Sequence, residues 1–375
     1  MSRLDELIAE LCPDGVEYKK LKDVSEMKRG TSLTKSKSVA GNIPVVSGGK
    51  EPAFYCNTFN RNGETITVAG SGAGAGYVQY WNIPIFANDC FTVKGTNLAE
   101  TKYLYYLLAN IQDKISDTKK GGGVPHVHIS DVDKFSVPVP PLEVQREIVC
   151  ILDNFTELTA ELTAELTARK KQYEYYREKL IQHNDNISVL LSDVAQYAKG
   201  RISTTQLTKN NYVGVDNLLQ NKAGKKHSEH IPNEGSVIEF KNGDVLIGNI
   251  RPYLKKIWLA DCEGGTNGDV LTIRIKDSKT IIPRYLYHVL ASDDFFNYDT
   301  NNSKGAKMPR GDKDAVMRYS FSLPNLEKQK VVVSILDRFD SLCNDLSSGL
   351  PAEIEARQKQ YEYYRDKLLT FKQLE

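Results

Sequence analysis

The chain has 375 residues, of which 40% are hydrophobic and 26% charged, so it is long and apolar enough to bury the cores of two ordinary domains. It has no apolar run near the roughly 20 residues that cross a bilayer and no amino-terminal stretch of signal type, and we expect a cytoplasmic protein without membrane contact. A net charge of +1 and six scattered cysteines without C-x-x-C spacing argue against a uniformly basic DNA binder, a disulfide framework and a cysteine zinc site.

The first predicted domain covers residues 1–147 and mixes short strands with helices. Helices are predicted over residues 4–11 and 101–109, which contain no Gly or Pro and carry apolar residues at helical spacing. Runs of β-branched and aromatic residues between turn-forming Gly and Asn predict strands at 43–46, 64–68, 77–81 and 90–93. Prolines keep residues 135–141 extended, and the last of them stands where a helix can begin.

A long helix is predicted from Leu142 to about residue 183, and we assign residues 148–186 to it as a spacer. Its apolar residues recur every three or four positions, as in a coiled-coil seam, at Ile148, Leu152, Phe155, Leu158, Leu162 and Leu166. Thr-Ala-Glu-Leu occurs twice in succession within this helix, at 159–162 and 163–166.

The four-residue unit has a length that suits DNA. It adds about 6 Å and about 40° of rotation to a helix, whereas one base pair adds roughly 3.4 Å and about 34°. Gain or loss of one unit would therefore alter a DNA spacing by about one to two base pairs while the helix seam keeps facing its partner.

The segment at 168–180 returns 188 residues later, at 356–368, with 11 of 13 positions identical. Both copies lack Gly and Pro and carry Tyr, Tyr and Leu on one helical face, so we predict two matched helices. Residues 187–325 repeat the plan of the first domain, and residues 326–375 form the second helix, with a break at 349–351 where the proline restarts it. Because the frame is duplicated while strands and loops have diverged, the two domains suit two different parts of one extended ligand, such as a bipartite DNA site.

Three groups of residues carry a resemblance to a known family: the proline-led segment Leu142-Glu-Val-Gln145, the Thr-Ala-Glu-Leu units at 159–166, and the Gln-Tyr-Glu-Tyr-Tyr-Arg blocks at 172–177 and 360–365. Over nearly its whole length the chain resembles the specificity subunit of a type I restriction-modification enzyme. The resemblance implies an α+β fold with two tandem target-recognition domains, built of short twisted β-sheets with helices. Each domain would be followed by a long helix, and the two helices would pair as an antiparallel coiled coil.

The same resemblance implies recognition without catalysis. Each target-recognition domain would read one half of a split, asymmetric site in double-stranded DNA, and the paired helices would set the spacer. Two methyltransferase subunits would dock on this frame, and motor and restriction subunits would join through them. The chain itself would bind no cofactor, because S-adenosylmethionine, ATP and Mg²⁺ belong to the partner subunits.

The polar, basic loops of both domains are the candidates for DNA contact. Lys and Arg neutralise phosphates, and a few Arg, Asn, Gln or Ser side chains read base edges. In the first domain we select Lys35, Lys37, Lys50, Ser71, Lys119, Lys120 and His126. In the second we select Arg201, Lys225, Lys226, Arg251, Lys255, Lys256, Lys304, Lys307 and Arg310. The alternative for each residue is an ordinary solvated loop.

The repeated tyrosines divide between two faces of each helix. Tyr173, Tyr176 and their copies belong to the seam, although tyrosines can also stack on nucleic-acid bases. For the other face we predict contact with a partner subunit, through Tyr175, Arg177, Tyr363 and Arg365.

Two further patterns are weaker. His126 and His128 are spaced as strand neighbours, but no third ligand is evident, so no metal site is predicted. The glycine-rich residues 70–76 follow a predicted strand, as a dinucleotide-binding loop would, but they lead into another strand instead of a helix. We predict a loop that approaches the DNA backbone there.

Two alternative functions remain. A self-sufficient restriction-methylation enzyme would need an Asn- or Asp-Pro-Pro-aromatic methyltransferase motif and a nuclease constellation, and the sequence has neither. A coiled-coil scaffold that binds DNA without specificity would give no sequence-dependent methylation or protection. The first alternative conflicts with the sequence. The second can be distinguished from a specificity subunit by testing for sequence-dependent methylation or protection.

Overall fold

The structure is a computed structural model, and it describes residues 3–121, 123–182, 187–345 and 347–374. The chain divides into two compact units, the first formed by Met1–Glu161 with Glu355–Glu375 and the second by Leu162–Ile354. Each unit therefore combines one mixed α+β domain with segments of both long helices. The domain limits drawn from the sequence follow the helix ends instead, and they stay predictions.

The helices follow the duplicated plan. Those of the first domain are α1 (Arg3–Leu11), α2 (Leu21–Val24), α3 (Thr101–Asn110), α4 (Gln112–Ser116) and α5 (Ile129–Val132). The long helix α6 (Leu142–Ile181) has 40 residues, about 60 Å at 1.5 Å per residue. The remaining helices are α7 (Leu191–Val194), α8 (Pro283–Leu290), α9 (Asp293–Asn301), α10 (Lys313–Met317), α11 (Leu326–Asn344) and α12 (Leu350–Leu368).

The first unit contains a two-stranded sheet β1-β9, a four-stranded sheet β2-β8-β5-β6 and a three-stranded sheet β4-β3-β7. All neighbouring strands are antiparallel except β3 and β7. The strands are β1 (Glu17–Lys20), β2 (Ser25–Arg29), β3 (Ile43–Val46), β4 (Phe54–Cys56), β5 (Thr65–Ala69), β6 (Val78–Trp81), β7 (Phe86–Ala87), β8 (Cys90–Gly95) and β9 (Ser136–Val139).

The second unit has the matching two-stranded sheet β10-β19 and four-stranded sheets β11-β18-β15-β16 and β12-β14-β17-β13. Only β13 and β17 run parallel. The strands are β10 (Ile187–Leu190), β11 (Ala195–Tyr197), β12 (Arg201–Ser203), β13 (Tyr212–Val213), β14 (Ser236–Phe240), β15 (Val245–Gly248), β16 (Ile257–Leu259), β17 (Gly264–Thr266), β18 (Val270–Ile275) and β19 (Ser320–Leu323).

One interior strand is buried along its whole length in two of the larger sheets: β5 in β2-β8-β5-β6 and β15 in β11-β18-β15-β16. Helix α3 packs on β5 and helix α8 on β15, and a smaller apolar cluster covers the other face of β15. Along β15 the side chains alternate, so that Val245 and Ile247 enter the main core while Leu246 packs with Phe240 and Trp258. Each such fully buried aliphatic side chain stabilises the fold by roughly 1.5–3 kcal/mol.

A buried glutamine explains the Leu-Glu-x-Gln segment in the first turn of α6 and of α11. The Gln145 amide accepts the backbone N–H of Glu100 at 2.9 Å and donates to the carbonyls of Leu98 at 2.9 Å and Pro140 at 2.8 Å. Gln329 makes the same three bonds, at 2.9, 3.0 and 2.8 Å, to backbone groups of Ile282, Thr280 and Pro324. One side chain thus joins the helix start, the preceding extended segment and the covering helix in both units.

The predicted helix pairing is confirmed within the second unit. Tyr173 and Tyr176 of α6 stack on Phe339 of α11, with ring centroids 5.9 and 5.7 Å apart. About two turns before Tyr173 in α6, Leu166 shares a pocket with Pro351 of α12. Residue numbers rise along α6 while they fall along its partners, so the helices run antiparallel. The break predicted at 349–351 is also present, between α11 and α12.

In the first unit the carboxyl-terminal segment packs on the first domain. Phe155 of α6 stacks on Tyr364 of α12 at 5.5 Å. Beyond α12, the carbonyl of Lys372 accepts the backbone N–H of Val16 at 2.9 Å, and the Tyr18 hydroxyl donates to the carbonyl of Phe371 at 2.9 Å. The chain segment after the second repeated block thereby completes the core that the first domain began.

The secondary structure predicted from the sequence is confirmed with small shifts. The four predicted strands correspond to β3, β5, β6 and β8, and the two predicted helices to α1 and α3. The predicted end of the long helix, residue 183, lies outside the described residues. Strands β1 and β2 escaped prediction because Lys and Glu dominate them, and their edge positions leave those side chains in solvent.

Candidate nucleic-acid interface

A short basic hairpin stands at the same place in both units, just before helix α5 or α10. In the first unit the backbone N–H groups of Lys120 and His126 donate to each other's carbonyl at 2.9 and 2.8 Å. In the second unit Lys304 and Arg310 do the same at 2.8 and 2.9 Å. The two hairpins lie 184 positions apart in the chain, so each is a copy of the other in geometry but not in side chains.

Each hairpin is hydrogen-bonded to the loop that follows strand β5 in the first unit or strand β15 in the second. The N–H of Gly72 donates to the carbonyl of Pro125 at 3.0 Å, and the N–H of Arg251 donates to the carbonyl of Pro309 at 2.7 Å. The two basic clusters predicted in the second domain, at 251–256 and 304–310, therefore meet on one surface. We call the exposed side chains of these two segments the basic surface of the second unit: Arg251, Tyr253, Lys304, Lys307, Met308 and Arg310.

Charges on this surface are partly engaged within the unit. Arg310 pairs with Asp269 at 3.0 Å, and Lys304 pairs with Asp312. Hydrogen bonds from Lys304 and from backbone N–H groups at the start of α10 lower the pKa of Asp312 to about 2. The side chains of Arg251 and Lys307 are exposed and make no hydrogen bond or ion pair with any residue that the structure describes. These two cations are the ones available to a phosphate or a base.

Two residues of the basic surface were missed from the sequence. Tyr253 is 51% exposed and Met308 is 52% exposed. Selection by charge passed over them, since an apolar residue inside a basic run is more often buried. Their exposure adds an aromatic face and a flexible apolar side chain to the surface, of the kind that contact bases and thymine methyl groups.

In the first unit, glycines let the segment at Gly48 and the loop 70–76 approach each other closely. A Cβ on Gly48 would lie 2.4 Å from the carbonyl oxygen of Ser71, and one on Gly74 would lie 2.3 Å from that of Gly48. The Ser71 hydroxyl donates to Asp89, and Lys120 pairs with Asp131. Loop 70–76 is therefore close-packed against its neighbours.

A pocket of about 540 Å³ adjoins the first hairpin and is lined by Arg29, Asn88, His126 and His128 among others. The two histidine rings lie parallel, with centroids 6.0 Å apart. Lys35 and Lys37 occupy an exposed 3₁₀ turn directly after Thr34, which also lines the pocket. Of the residues predicted in the first domain, His126 thus lines this concave, mixed-charge surface, and Lys35 and Lys37 stand beside it.

Other predicted contacts of the first domain are less free. The Lys50 ammonium lies 5.4 Å from the centre of the Tyr77 ring, and that of Lys119 lies 3.5 Å from the carbonyl of Ala73. Both cations therefore hold neighbouring loops. Their contact with DNA stays a prediction.

Several predicted residues of the second domain have partners inside the unit. The ammonium of Lys255 pairs with Asp293 at 2.8 Å, that of Lys256 donates to the carbonyl of Val215 at 2.7 Å, and burial lowers the pKa of Lys256. Three more have local partners: Lys225 donates to the Asn210 carbonyl and lies over Trp258, Lys226 pairs with Glu229, and Arg201 donates to Ser236. None of these contacts joins them to the basic surface, and DNA contact by them stays a prediction.

The predicted partner-contact residues of the repeated helical block differ in exposure. Tyr175 is 57% exposed and Tyr363 is 63% exposed, as predicted. The expectation that Arg177 also faces a partner is wrong for the described chain, because its side chain is only 2% exposed. It donates to the carbonyl of Ala291 at 3.1 Å and stacks over the Tyr173 ring at 4.2 Å.

An ionic network anchors this first block to the second domain. Lys222 pairs with Glu174 and with Asp293, each at 2.8 Å, and Glu178 accepts the backbone N–H of Asp293 at 2.9 Å. Partial burial works to raise the pKa of Asp293, but hydrogen bonds from Lys222 and Lys255 outweigh it and hold that pKa below its ordinary value. The start of helix α9 is thereby fixed to helix α6.

Metal-binding clusters and membrane-spanning helices are both absent from the described residues. Nowhere in the described ranges do three His, Cys, Asp or Glu side chains converge as a metal site would require. No helix in those same ranges is long and apolar enough to cross a bilayer.

Relatives with known names match most of the chain. A Haemophilus influenzae protein provisionally named a type I restriction enzyme specificity subunit is 31% identical over 95% of this chain and 96% of its own length. The EcoR124I/EcoR124II specificity subunit of Escherichia coli is 31% identical over 72% of this chain and 70% of its own. The crystal structure of a type I restriction-modification S subunit from M. genitalium superposes with a TM-score of 0.62 at 15% identity, covering 95% of this chain and 96% of that one.

The family profile described as type I restriction modification DNA specificity domain matches twice, at residues 13–169 and 184–356. The two matches coincide with the two copies of the frame that carry the hairpins. The chain therefore belongs to the type I restriction modification DNA specificity domain family.

Proposed function

We propose that this chain is the DNA-recognition subunit of a type I restriction-modification complex and that each unit reads one half of a bipartite, asymmetric site. The observation that carries the proposal is the duplicated pair of hairpin and loop, held by the same backbone hydrogen bonds but bearing different exposed side chains. Equal frames with unequal side chains suit two unequal half-sites. Subunits of this family recognise DNA within complexes, and catalysis belongs to their partners.

The partners follow from the same architecture. The exposed, repeated Tyr175 and Tyr363 support docking of two methyltransferase subunits, one on each copy of the block. Motor and restriction subunits would join through these, and S-adenosylmethionine, ATP and Mg²⁺ would be bound by the partners. The proposed place of action is the cytoplasm. The domain limits of 1–147, 148–186, 187–325 and 326–375 are proposed as the exchangeable segments.

A strand-resolved map of N6-methyladenine tests the role. DNA is compared from cells that express the methyltransferase subunit with and without this chain. We expect a split motif with a fixed gap that appears only when the chain is present. A stable complex that produces no motif would instead support a scaffold that binds DNA without specificity.

Exchange of the second domain tests the division of labour. Residues 187–325 are replaced by those of another family member, and the methylation map is repeated. Because each unit has its own core and its own surface, one half of the motif should change and the other should stay. Simultaneous change of both halves would contradict independent reading.

A further inference from the structure

The loops that hold the two hairpins share two features of the backbone but differ in residue type. In the first unit the loop has positive φ at Gly72 (82°) and Gly76 (83°). In the second the corresponding ends are Arg251 (54°) and Lys255 (50°), and both first residues donate their N–H to the proline carbonyl of the hairpin. Glycine adopts this left-handed conformation freely, whereas other residues are strained in it.

Among the described residues, those other than glycine that have a positive φ lie in one place. The four with positive φ are Asn221, Lys222, Arg251 and Lys255. The two segments are joined, because Asn221 donates to the carbonyl of Leu254 at 3.0 Å and Lys222 to that of Lys255 at 2.8 Å. Such strain persists only where surrounding contacts over-determine the backbone, and it clusters at functional sites.

Three of these four residues have reasons inside the unit. Asn221 is of a residue type that tolerates the left-handed region. The other two, Lys222 and Lys255, both form ion pairs with Asp293, and these contacts help to hold their left-handed backbone. Arg251 has no such reason. Its guanidinium is exposed and makes no contact of hydrogen-bond or ion-pair type with the described residues, although glycine would serve the turn equally well.

The backbone that carries Arg251 is held on both sides. Its N–H is bound to the hairpin at 2.7 Å, the next residue, Pro252, is buried, and Lys255 is fixed to Asp293. The guanidinium therefore extends from a fixed origin. A phosphate contact needs only charge, which the unstrained Lys307 of the same surface supplies, whereas a base contact needs a defined position and direction.

We infer that Arg251 is a specificity-determining residue that reads a guanine edge, through O6 and N7, in the half-site of the second unit. This inference rests on the proposed DNA-recognition function. Bidentate donation from arginine to guanine is the commonest specific contact in the major groove. Tyr253, two residues further along the same loop, is exposed and would contact the neighbouring base or sugar.

The test uses three variants of the full chain in complex with its methyltransferase subunit. Arg251→Gly gives the loop the residue type that the first unit has at Gly72. Arg251→Lys keeps the charge but removes the planar fork. Lys307→Ala removes an unstrained charge from the same surface and is the matched control. Thermal unfolding and the methylation motif are measured for each.

For Arg251→Gly we expect unfolding at an equal or higher temperature, because strain is released, together with a roughly 10- to 100-fold loss of preference at one G·C pair of one half-site. Arg251→Lys should lose part of the same preference, since an ammonium still donates to O6 or N7 but lacks the planar fork. Lys307→Ala should weaken methylation evenly at all sequences and flatten its salt dependence.

Two outcomes would overturn the inference. One is a motif unchanged at every position in Arg251→Gly, and the other is an even loss of methylation like that of Lys307→Ala, which would make Arg251 a phosphate contact. If the wild-type chain itself directs no methylation motif, the proposed DNA-recognition function is wrong, and that failure is distinct from a wrong role for Arg251.

Discussion

The two copies of the repeated helical block are nearly identical in sequence but are held differently. In the second unit Arg177 is 2% exposed, bound to a backbone carbonyl and surrounded by an ionic network. In the first unit its copy, Arg365, is 24% exposed and pairs with its own neighbour Asp366 at 3.1 Å. The sequence of the block determines that it is helical, and the residues against which each copy packs determine how strongly that copy is held.

One of the two differences within the block has a structural consequence. Glu178 accepts the N–H of Asp293 at the start of α9, whereas its copy, Asp366, is one methylene shorter and exposed. Nothing in the structure explains the other difference, Lys170 against Gln358. The differences between the two blocks, the exposed face they share and a buried acid in the second unit predict four effects, of which loss of the buried arginine is the largest.

Removal of the buried arginine should break the stronger attachment. For Arg177→Met we expect the second unit to lose roughly 3–4 kcal/mol, because the carbonyl of Ala291 and the carboxylate of Glu174 lose a buried partner. Arg365→Met should cost the first unit less than about 1 kcal/mol, since Arg365 is only partly buried and its partner Asp366 is exposed to solvent. Amide hydrogen exchange, resolved by unit, measures both. Equal losses would show that the two copies are attached alike.

A buried carboxylate should make the second unit sensitive to pH. The same offset of 184 positions that relates the hairpins takes Asp299 to Ile115, so an acid stands where the first unit has an apolar residue. Burial raises the pKa of Asp299 to about 6, and both its carboxylate oxygens lack partners among the described residues. Because the folded pKa exceeds the unfolded one, stability is fullest below about pH 4 and falls as pH rises through 6.

Asp299→Asn should therefore stabilise the second unit at pH 8, by no more than about 3 kcal/mol, and should do nothing at pH 4. The measurement is urea unfolding of variant and wild type at both pH values. Ile115→Val is the control in the first unit, and its effect should not vary with pH. A benefit of Asp299→Asn that is the same at pH 4 and pH 8 would contradict the titration.

Exchange of the acid between the two blocks should have a smaller effect. Glu178→Asp should cost the second unit about 1 kcal/mol, because the shorter side chain no longer reaches the N-terminus of α9. Asp366→Glu, the reverse change, should leave the first unit unaltered. Hydrogen exchange at the first turn of α9 is the sharpest measurement. Unchanged protection there would remove Glu178 from the anchoring network.

The exposed tyrosines should matter least for stability and most for assembly. Tyr175→Asp and Tyr363→Asp should each change stability by less than about 0.5 kcal/mol, because both rings are exposed. We expect weaker co-elution of methyltransferase subunits on gel filtration. Tyr175→Phe and Tyr363→Phe keep the ring and should bind normally. Full co-elution of both Asp variants would place the docking surface elsewhere.

Periodicity allowed the long helices and the exposure of Tyr175 and Tyr363 to be predicted from the sequence, and Gly349 and Pro351 marked the break in the second helix. The same arithmetic could have placed Arg177 correctly, because it lies four residues, one helical turn, beyond the buried Tyr173. The convergence of Arg251 with the hairpin could not be predicted in this way. It depends on a backbone bond between residues 58 positions apart, Arg251 and Pro309, and on left-handed φ angles that no propensity assigns to arginine.

The composition of the units also bears on the order in which the protein folds as it is made. The second unit, Leu162–Ile354, is one continuous stretch of chain, whereas the first needs Glu355–Glu375 to complete its core. On a ribosome the first domain emerges earliest but must wait for the segment that carries Tyr361, Leu368 and Leu369. The unit translated second is thus the first that can finish folding. Until residues 355–375 have been made, the apolar side chains of the first domain that they cover stay exposed to chaperones and to other nascent chains.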